Sequence, residues 1–283
     1  MLNTTSVRTT TLPSGATVPV LGQGTWGLAE DKHSREDEIK ALRTGLSLGM
    51  TLIDTAEMYA DGEAERLVGD AIHGHRDDVF IVTKVLPQHA SRNGTIAACE
   101  RSLKRLKTKW IDLYLLHWRG TIPLEETLEG FEALVDLGKI RFWGVSNFDV
   151  SDLEELVSLS DGNTVSTDQV LYNLTRRGIE YDLLPWCLNR NIPIMAYSPI
   201  EQGRVLHHPE LVRVARRHNA KASQIALAWV LRQDKVIAIP RAGLPEHVRE
   251  NGAALEIHLT DQDLADLDAA FPPPTHKEPL AML

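Results

Sequence analysis

This 283-residue chain has only two cysteines, Cys99 and Cys187, which lie far apart with no histidine beside either. So sparse a set excludes a disulfide scaffold and offers no spacing for a metal site, and two reduced core thiols are expected. Basic tracts are also missing. Thirty Lys and Arg stand against 39 Asp and Glu, and the formal charge of −9 is spread along the chain rather than run into blocks. Such a balance argues against nucleic acid or an anionic membrane surface as a partner. No run approaches the roughly 18 apolar residues of a membrane span. The opening MLNTTSVRTTTLP lacks the apolar stretch of a signal peptide. A cytoplasmic protein is expected, acting as a monomer or weak homo-oligomer.

What the chain does have is enough apolar mass for a large core, at 43% hydrophobic residues. Short β-branched runs recur at residues 18–22, 51–54, 80–84, 111–117, 140–147, 164–169, 192–198 and 236–240. Most begin about 25 to 35 residues apart, the length of one strand-plus-helix unit, and the last gap is longer. Amphipathic segments lie between them. In SREDEIKALRTGLSLG, Ser34 can cap the start, acids fill the first turn, Ile39, Leu42 and Leu46 share a face, and Gly49 closes the helix. Alternating strands and helices predict a parallel sheet covered by helices. Eight such units predict a closed (β/α)8 TIM barrel, one domain over 1–283, since no shift in composition marks a linker. Residues 9–20 read as a hairpin turning at Pro13-Ser14-Gly15 and closing the bottom of the barrel. The proline-rich tail, 271–283, cannot continue a helix.

The stretch VLGQGTWG, 20–27, has the G-x-G-x-x-G spacing of a dinucleotide-binding turn. A Rossmann turn should open directly into a helix. Here six residues separate Gly27 from Ser34, so a loop in close backbone contact with a ligand explains the glycines as well. The polar residues that end the runs carry more information: Gln23, Asp54, Lys84, His117, Asn147, Gln169, Tyr197-Ser198 and Arg241. Taken singly, each could be a satisfied core polar group or a surface cap. Together, on the C-terminal rim of a barrel, they point to an active site. Burying Lys84 would be costly without a counter-ion, and Asp54 on the neighbouring strand can supply one. Tyr59, five residues after Asp54, supplies an acid whose pKa a nearby ammonium would lower. With His117 in reach to orient a carbonyl oxygen, this is equipment for protonating an oxygen as it gains charge.

The motifs LIDTAEMYADGEAERLVGDAI, VTKV, DLYLLHW, GKIRFWGVSNF, DQVLYN, MAYSPI and IAIPR…EHVREN resemble the aldo-keto reductase superfamily over nearly the whole chain. The likeness is to compact bacterial members that reduce small aldehydes such as methylglyoxal. It implies Tyr59 as general acid, Lys84 and Asp54 as its tuning pair, and His117 as the substrate-orienting group. Hydride would come from a nicotinamide cofactor. Ser146, Asn147 and Gln169 match the positions that bond the carboxamide, and Tyr197 the aromatic that stacks on the ring. Ser198, Pro199, Ile200, Gln202, Gly203 and Arg204 would lie along the diphosphate. Gly24, Thr25 and Trp26 look like the first-strand loop at the nicotinamide end. Ile239, Arg241, His247, Glu250 and Asn251 fall at the adenosine end. There Arg241, Ala242 and His247 stand where the family commonly has lysine, serine and arginine. The planar fork of Arg241 can still pair with a phosphate, so NADP(H) is expected to be preferred, with NAD(H) possible.

Trp26, Met58 and Trp118 are expected to wall the substrate pocket, although core packing would explain them too. The short tail suggests an open pocket. His73-Gly74-His75 and His207-His208 read as surface histidines and no metal is expected; Arg176-Arg177, after the sixth strand, could touch substrate or solvent, with solvent the favoured reading. Two other functions use the same residues. A Schiff-base aldolase could form its imine on Lys84, but Asp54 should keep that amine charged and Tyr197 and Gln169 would have no task. A cofactor-binding regulatory subunit would turn over little, which fits poorly with a complete set of catalytic groups.

Overall fold

The computed structural model describes residues 7–30 and 32–283; residues 1–6 of the expected 1–283 domain and Asp31 in the first loop lie outside the described residues. Strands β1 (Thr9–Thr11) and β2 (Thr17–Pro19) form an antiparallel hairpin. Its turn is closed by Gly15 N–H donating to the Leu12 carbonyl at 2.9 Å. Then follow β3 (Gln23–Gly24), β4 (Leu52–Asp54), β5 (Phe80–Val85), β6 (Ile111–Leu116), β7 (Ile140–Ser146), β8 (Asp168–Leu171), β9 (Ile194–Tyr197) and β10 (Val236–Ala238). These eight pair in parallel in chain order. Parallel bridges from Leu21 to Ala238 and from Gly24 to Arg241 join the first to the last and close the barrel. The expected strand at 164–169 begins later, at Asp168, because Gly162–Thr164 forms a single 3-10 turn.

Helices α1 (Arg35–Ser47), α2 (Glu63–Ala71), α3 (Arg92–Leu106), α4 (Leu124–Asp136), α5 (Val150–Ser158) and α6 (Leu183–Asn189) each follow a strand. The longer last gap holds two, α7 (Pro209–Arg217) and α8 (Ala222–Leu231), and α9 (Pro245–Ala253) and α10 (Asp261–Ala270) end the chain's regular structure. Ser34 caps α1 by accepting from the Asp37 N–H at 3.1 Å. Gly49, at φ +85°, closes that helix in the left-handed region. None of these helices is long and apolar enough to cross a membrane.

The strands divide their side chains between two cores. Ile53, Ile81, Val85, Tyr114 and Val170 face outward, against the helices. Leu52, Val82, Leu113, Leu115, Met195, Ile237 and Ile239 face inward and fill the barrel, where Leu12 and Val18 of the hairpin join them. The hairpin therefore caps the barrel floor with apolar side chains. Burying each such residue is worth about 1.5–3 kcal/mol. Alternation also sets the rim, because every second residue beyond an inward apolar side chain is itself inward. Leu52 leads to Asp54, Val82 to Lys84, Leu115 to His117 and Met195 to Tyr197.

Candidate active site

Lys84 is fully buried at the top of the barrel interior. Its ammonium donates to Asp54 Oδ2 at 2.8 Å, to the Thr55 carbonyl at 2.9 Å and to Tyr59 Oη at 3.0 Å. All three of its donors are thus used, which removes the penalty of a buried unpaired charge. Gln169 Nε2 donates to the other Asp54 oxygen at 2.7 Å. An ammonium has no lone pair, so Tyr59 Oη must accept from it, and the phenolic proton is left to point elsewhere. The His117 ring lies edge-on to the Tyr59 ring, with centroids 5.8 Å apart.

The electrostatics differ in one respect from the reading of the residues. Burial acts on Tyr59 more strongly than the neighbouring ammonium, so its phenol titrates above the ordinary tyrosine value, where Lys84 alone would have lowered it. The phenol therefore rests protonated at neutral pH. Burial opposes the charge on Lys84, yet the attraction of Asp54 and Tyr59 together outweighs it and holds the ammonium above its usual range. Burial raises Asp54 too, with Lys84 and Gln169 pulling the other way. The His117 imidazole is pushed down to about 2 by burial and by the Lys84 charge, so it is neutral. Its Nδ1 is buried with no hydrogen-bond partner among the described residues. Leaving a bare lone pair there costs less than stranding an N–H, which assigns the ring proton to Nε2.

Around this centre the strand ends form a second ring of contacts. Ser146 Oγ donates to the Gln169 carbonyl at 2.8 Å. Asn147, at φ +58°, donates from Nδ2 to the His117 carbonyl at 3.1 Å and accepts from the Tyr197 hydroxyl at 3.0 Å. Tyr197 thus presents a half-buried ring at the mouth while its hydroxyl is anchored. Beyond it Ser198, Glu201, Gln202 and Gly203 all have positive φ. That irregular backbone is held by Glu201, whose buried carboxylate accepts from Asn173 at 2.8 Å and from Arg204 at 2.7 Å. Pro199 is buried and Ile200 half-buried in the same loop. On the opposite side Gly24 approaches the last strand so closely that a Cβ would sit 2.6 Å from the Ile239 carbonyl. Thr25 is buried, its hydroxyl donating to the Asp54 carbonyl at 3.0 Å. Trp26 and Met58, 48% and 41% exposed, leave large apolar groups open at the mouth, and Trp118 is half-buried beside His117.

Arg241 lies beside the first-strand loop, bridged to Gly24. Arg241 donates to the Gly27 carbonyl at 3.2 Å and forms no ion pair among the described residues. His247 is exposed, Asn251 is buried, and Glu250 is paired with Lys221.

Some residues sit elsewhere than expected. Gln23 does not face the mouth: it points outward and donates to the Leu42 and Met50 carbonyls, filling the space above Gly45. Arg177 does not reach solvent, being buried on Glu180, Asp268 and the Phe271 carbonyl, whereas Arg176 is exposed as expected while its guanidinium also meets Glu201. His208 caps α7 and packs on Phe271, so it is not a free surface group either. Residues unremarked in the sequence also take part, notably Thr55 through its carbonyl, and Asn173 and Glu201 behind the loop after β9. Nothing but tertiary contact distinguishes these from other polar residues.

The chain matches the model of the Aldo/keto reductase family over residues 20–271. It is 51% identical to the methylglyoxal reductase YeaE of Escherichia coli K12 over 271 residues, which cover 94% of this chain and 95% of that protein. It is 31% identical to the glyoxal reductase of Bacillus subtilis, over 92% of each chain. Among solved structures, an aldo/keto reductase from Klebsiella pneumoniae, in complex with NADP and acetate, superposes with a TM-score of 0.95 at 50% identity, over 97% of this chain and 99% of that one. A family match across nine-tenths of the sequence, with relatives of this identity and a barrel of this shape, leaves one conclusion: the chain belongs to the aldo/keto reductase family.

Proposed function

We propose that this protein reduces small aldehydes and ketones, 2-oxoaldehydes such as methylglyoxal among them, to alcohols with NADPH, and that Tyr59 is the proton donor. The observation that carries the reading is the bonded chain from buried Asp54 and Lys84 to half-buried Tyr59, with neutral His117 beside it at the strand ends. The names of the relatives and the NADP in the Klebsiella structure support the substrate class and the cofactor.

The residues present fit a nicotinamide dinucleotide. Tyr197 offers a flat, half-buried ring with Ser146, Asn147 and Gln169 about it. Ser198, Glu201, Gln202 and Gly203 hold the loop after β9 in a left-handed, irregular course with peptide groups outside regular strand pairing, and Arg241 is a guanidinium with no carboxylate partner among the described residues. NADPH, when bound there, supplies the hydride. A substrate carbonyl oxygen would lie between Tyr59 Oη and His117 Nε2. His117 donates its N–H to that oxygen and orients it. Tyr59 gives up its proton as negative charge grows on the oxygen, and the Lys84 ammonium, 3.0 Å away, stabilises the phenolate that forms. Asp54 and Gln169 hold the ammonium in position. A charged, triply bonded Lys84 is a poor imine-forming nucleophile, so the aldolase alternative is not favoured.

The test follows NADPH absorbance with a panel of aldehydes. Tyr59→Phe should lower turnover by about 10²–10⁴-fold while cofactor binding stays intact. Undiminished turnover would remove Tyr59 from this role.

A further inference from the structure

Tyr59 stands in an awkward piece of chain. Ala60, Asp61 and Gly62 directly after it all have positive φ, and the loop has few backbone bonds of its own. Tyr59 N–H reaches the Ala56 carbonyl at 3.1 Å and Asp61 N–H the Met58 carbonyl at a long 3.4 Å. Left-handed non-glycine residues persist only where their surroundings over-determine them. Something beyond the loop must hold it.

Two residues before Tyr59, the carboxylate of Glu57 is 5% exposed. One of its oxygens accepts from the Leu86 N–H at 2.8 Å and contacts His89 Nδ1 at 2.9 Å; the other contacts Arg101 at 3.4 Å. Leu86 is two residues past Lys84 on the same chain segment. The Glu57 N–H also reaches the Lys84 carbonyl at 3.3 Å. Glu57 therefore ties the loop of the phenol to the strand of the ammonium at matching offsets from both groups. Its carboxylate bonds Leu86, His89 and Arg101 and none of the side chains of Asp54, Tyr59, Lys84 or His117.

We propose that Glu57 is a positioning residue for this reaction: its clamp on Leu86, backed by His89 and Arg101, sets the separation of the Tyr59 hydroxyl from the Lys84 ammonium. The proposal rests on the reading of Tyr59 as proton donor. A loosened clamp lets the loop relax toward solvent, so the phenol drifts from both the ammonium and the substrate oxygen. Misplacement of that kind acts on turnover rather than on cofactor affinity, because the loop lies at the substrate end.

Glu57→Ala and Glu57→Gln separate this role from a general one in folding. Glutamine keeps an oxygen for the Leu86 N–H, whereas alanine removes it. With methylglyoxal and NADPH, Glu57→Ala should lower kcat by about 10- to 100-fold while the NADPH Kd, read by fluorescence, stays within about threefold. Glu57→Gln should recover most of that loss. In the protein without cofactor, amide exchange across 55–62 and 84–89 should quicken in Glu57→Ala and stay near wild type in Glu57→Gln. Unchanged kcat in the alanine variant, equal damage in both variants, or unchanged exchange overturns the proposal. A wild type that reduces no aldehyde overturns the reading of function instead, and the exchange measurement still decides whether Glu57 clamps the loop.

Discussion

The proposed substrate end and the proposed adenosine end of the mouth are built on opposite plans. At the substrate end buried Asp54, Lys84 and Gln169 and half-buried Tyr59 form a chain in which each bond fixes the next. At the other end Arg241 and His247 are exposed, and among the described residues the Arg241 side chain bonds only the Gly27 carbonyl. The difference follows from what each must do. A proton donor has to be in place before the reaction, and low dielectric magnifies every charge around it. A phosphate-binding cation can stay hydrated until its ligand arrives, which costs the empty protein little. Damage at the first end should therefore cost stability and turnover together, and damage at the second should alter affinity alone.

The sharpest test of that contrast is Lys84→Met. It strands the Asp54 carboxylate and should cost about 3–5 kcal/mol of unfolding free energy as well as turnover, read by urea denaturation and NADPH consumption. Adding Asp54→Asn should recover much of the stability and none of the activity. At the other end Arg241→Ala should weaken NADPH by about 10- to 100-fold, the value of a charge-assisted contact, and NADH far less, with the urea midpoint unmoved. Equal losses for the two cofactors would break the comparison. Gln23→Ala removes two buried bonds outside the mouth and should cost about 1–3 kcal/mol with kcat/KM unchanged, separating a polar strand-end residue that serves the fold from those that serve the site.

The smallest effect is a slope. The folded pKa of His117 is about 2, well below the ordinary 6.5, so below that ordinary value the unfolded chain takes up a proton that the native state refuses. Stability should fall as pH drops through 6 and 5, by up to about 1.4 kcal/mol per pH unit. His117→Asn should remove that contribution; the same slope in the variant would show that other groups cause it.

Much of this site was legible along the chain because a barrel orders its strand ends in space as they are ordered in sequence. Asp54, Lys84, His117 and Gln169 each close an apolar run, and the structure brings them to one rim. Gln23 closes such a run too and yet points away. Gly22, just before β3, and Gly24 within it take the inward positions, where the backbone lies against Leu52 and the Ile239 carbonyl, so the residue between them faces α1. Arg177 reads as a solvent charge beside Arg176, but its partners, Asp268 and Phe271, lie about ninety residues on. The sign of the Tyr59 shift was also out of reach, since it depends on burial outweighing a neighbouring cation, a comparison that needs coordinates.

Periodicity and spacing by themselves determined the strand–helix repeat, the hairpin floor and the acid, amine and imidazole that end three successive strands, because alternation and repeat length are properties of neighbouring residues. Only the tertiary structure decided which polar side chains turn inward, how deeply the phenol is buried and that Glu57 spans two loops. Those depend on groups that folding brings within 3 Å although some thirty or more positions separate them in the chain.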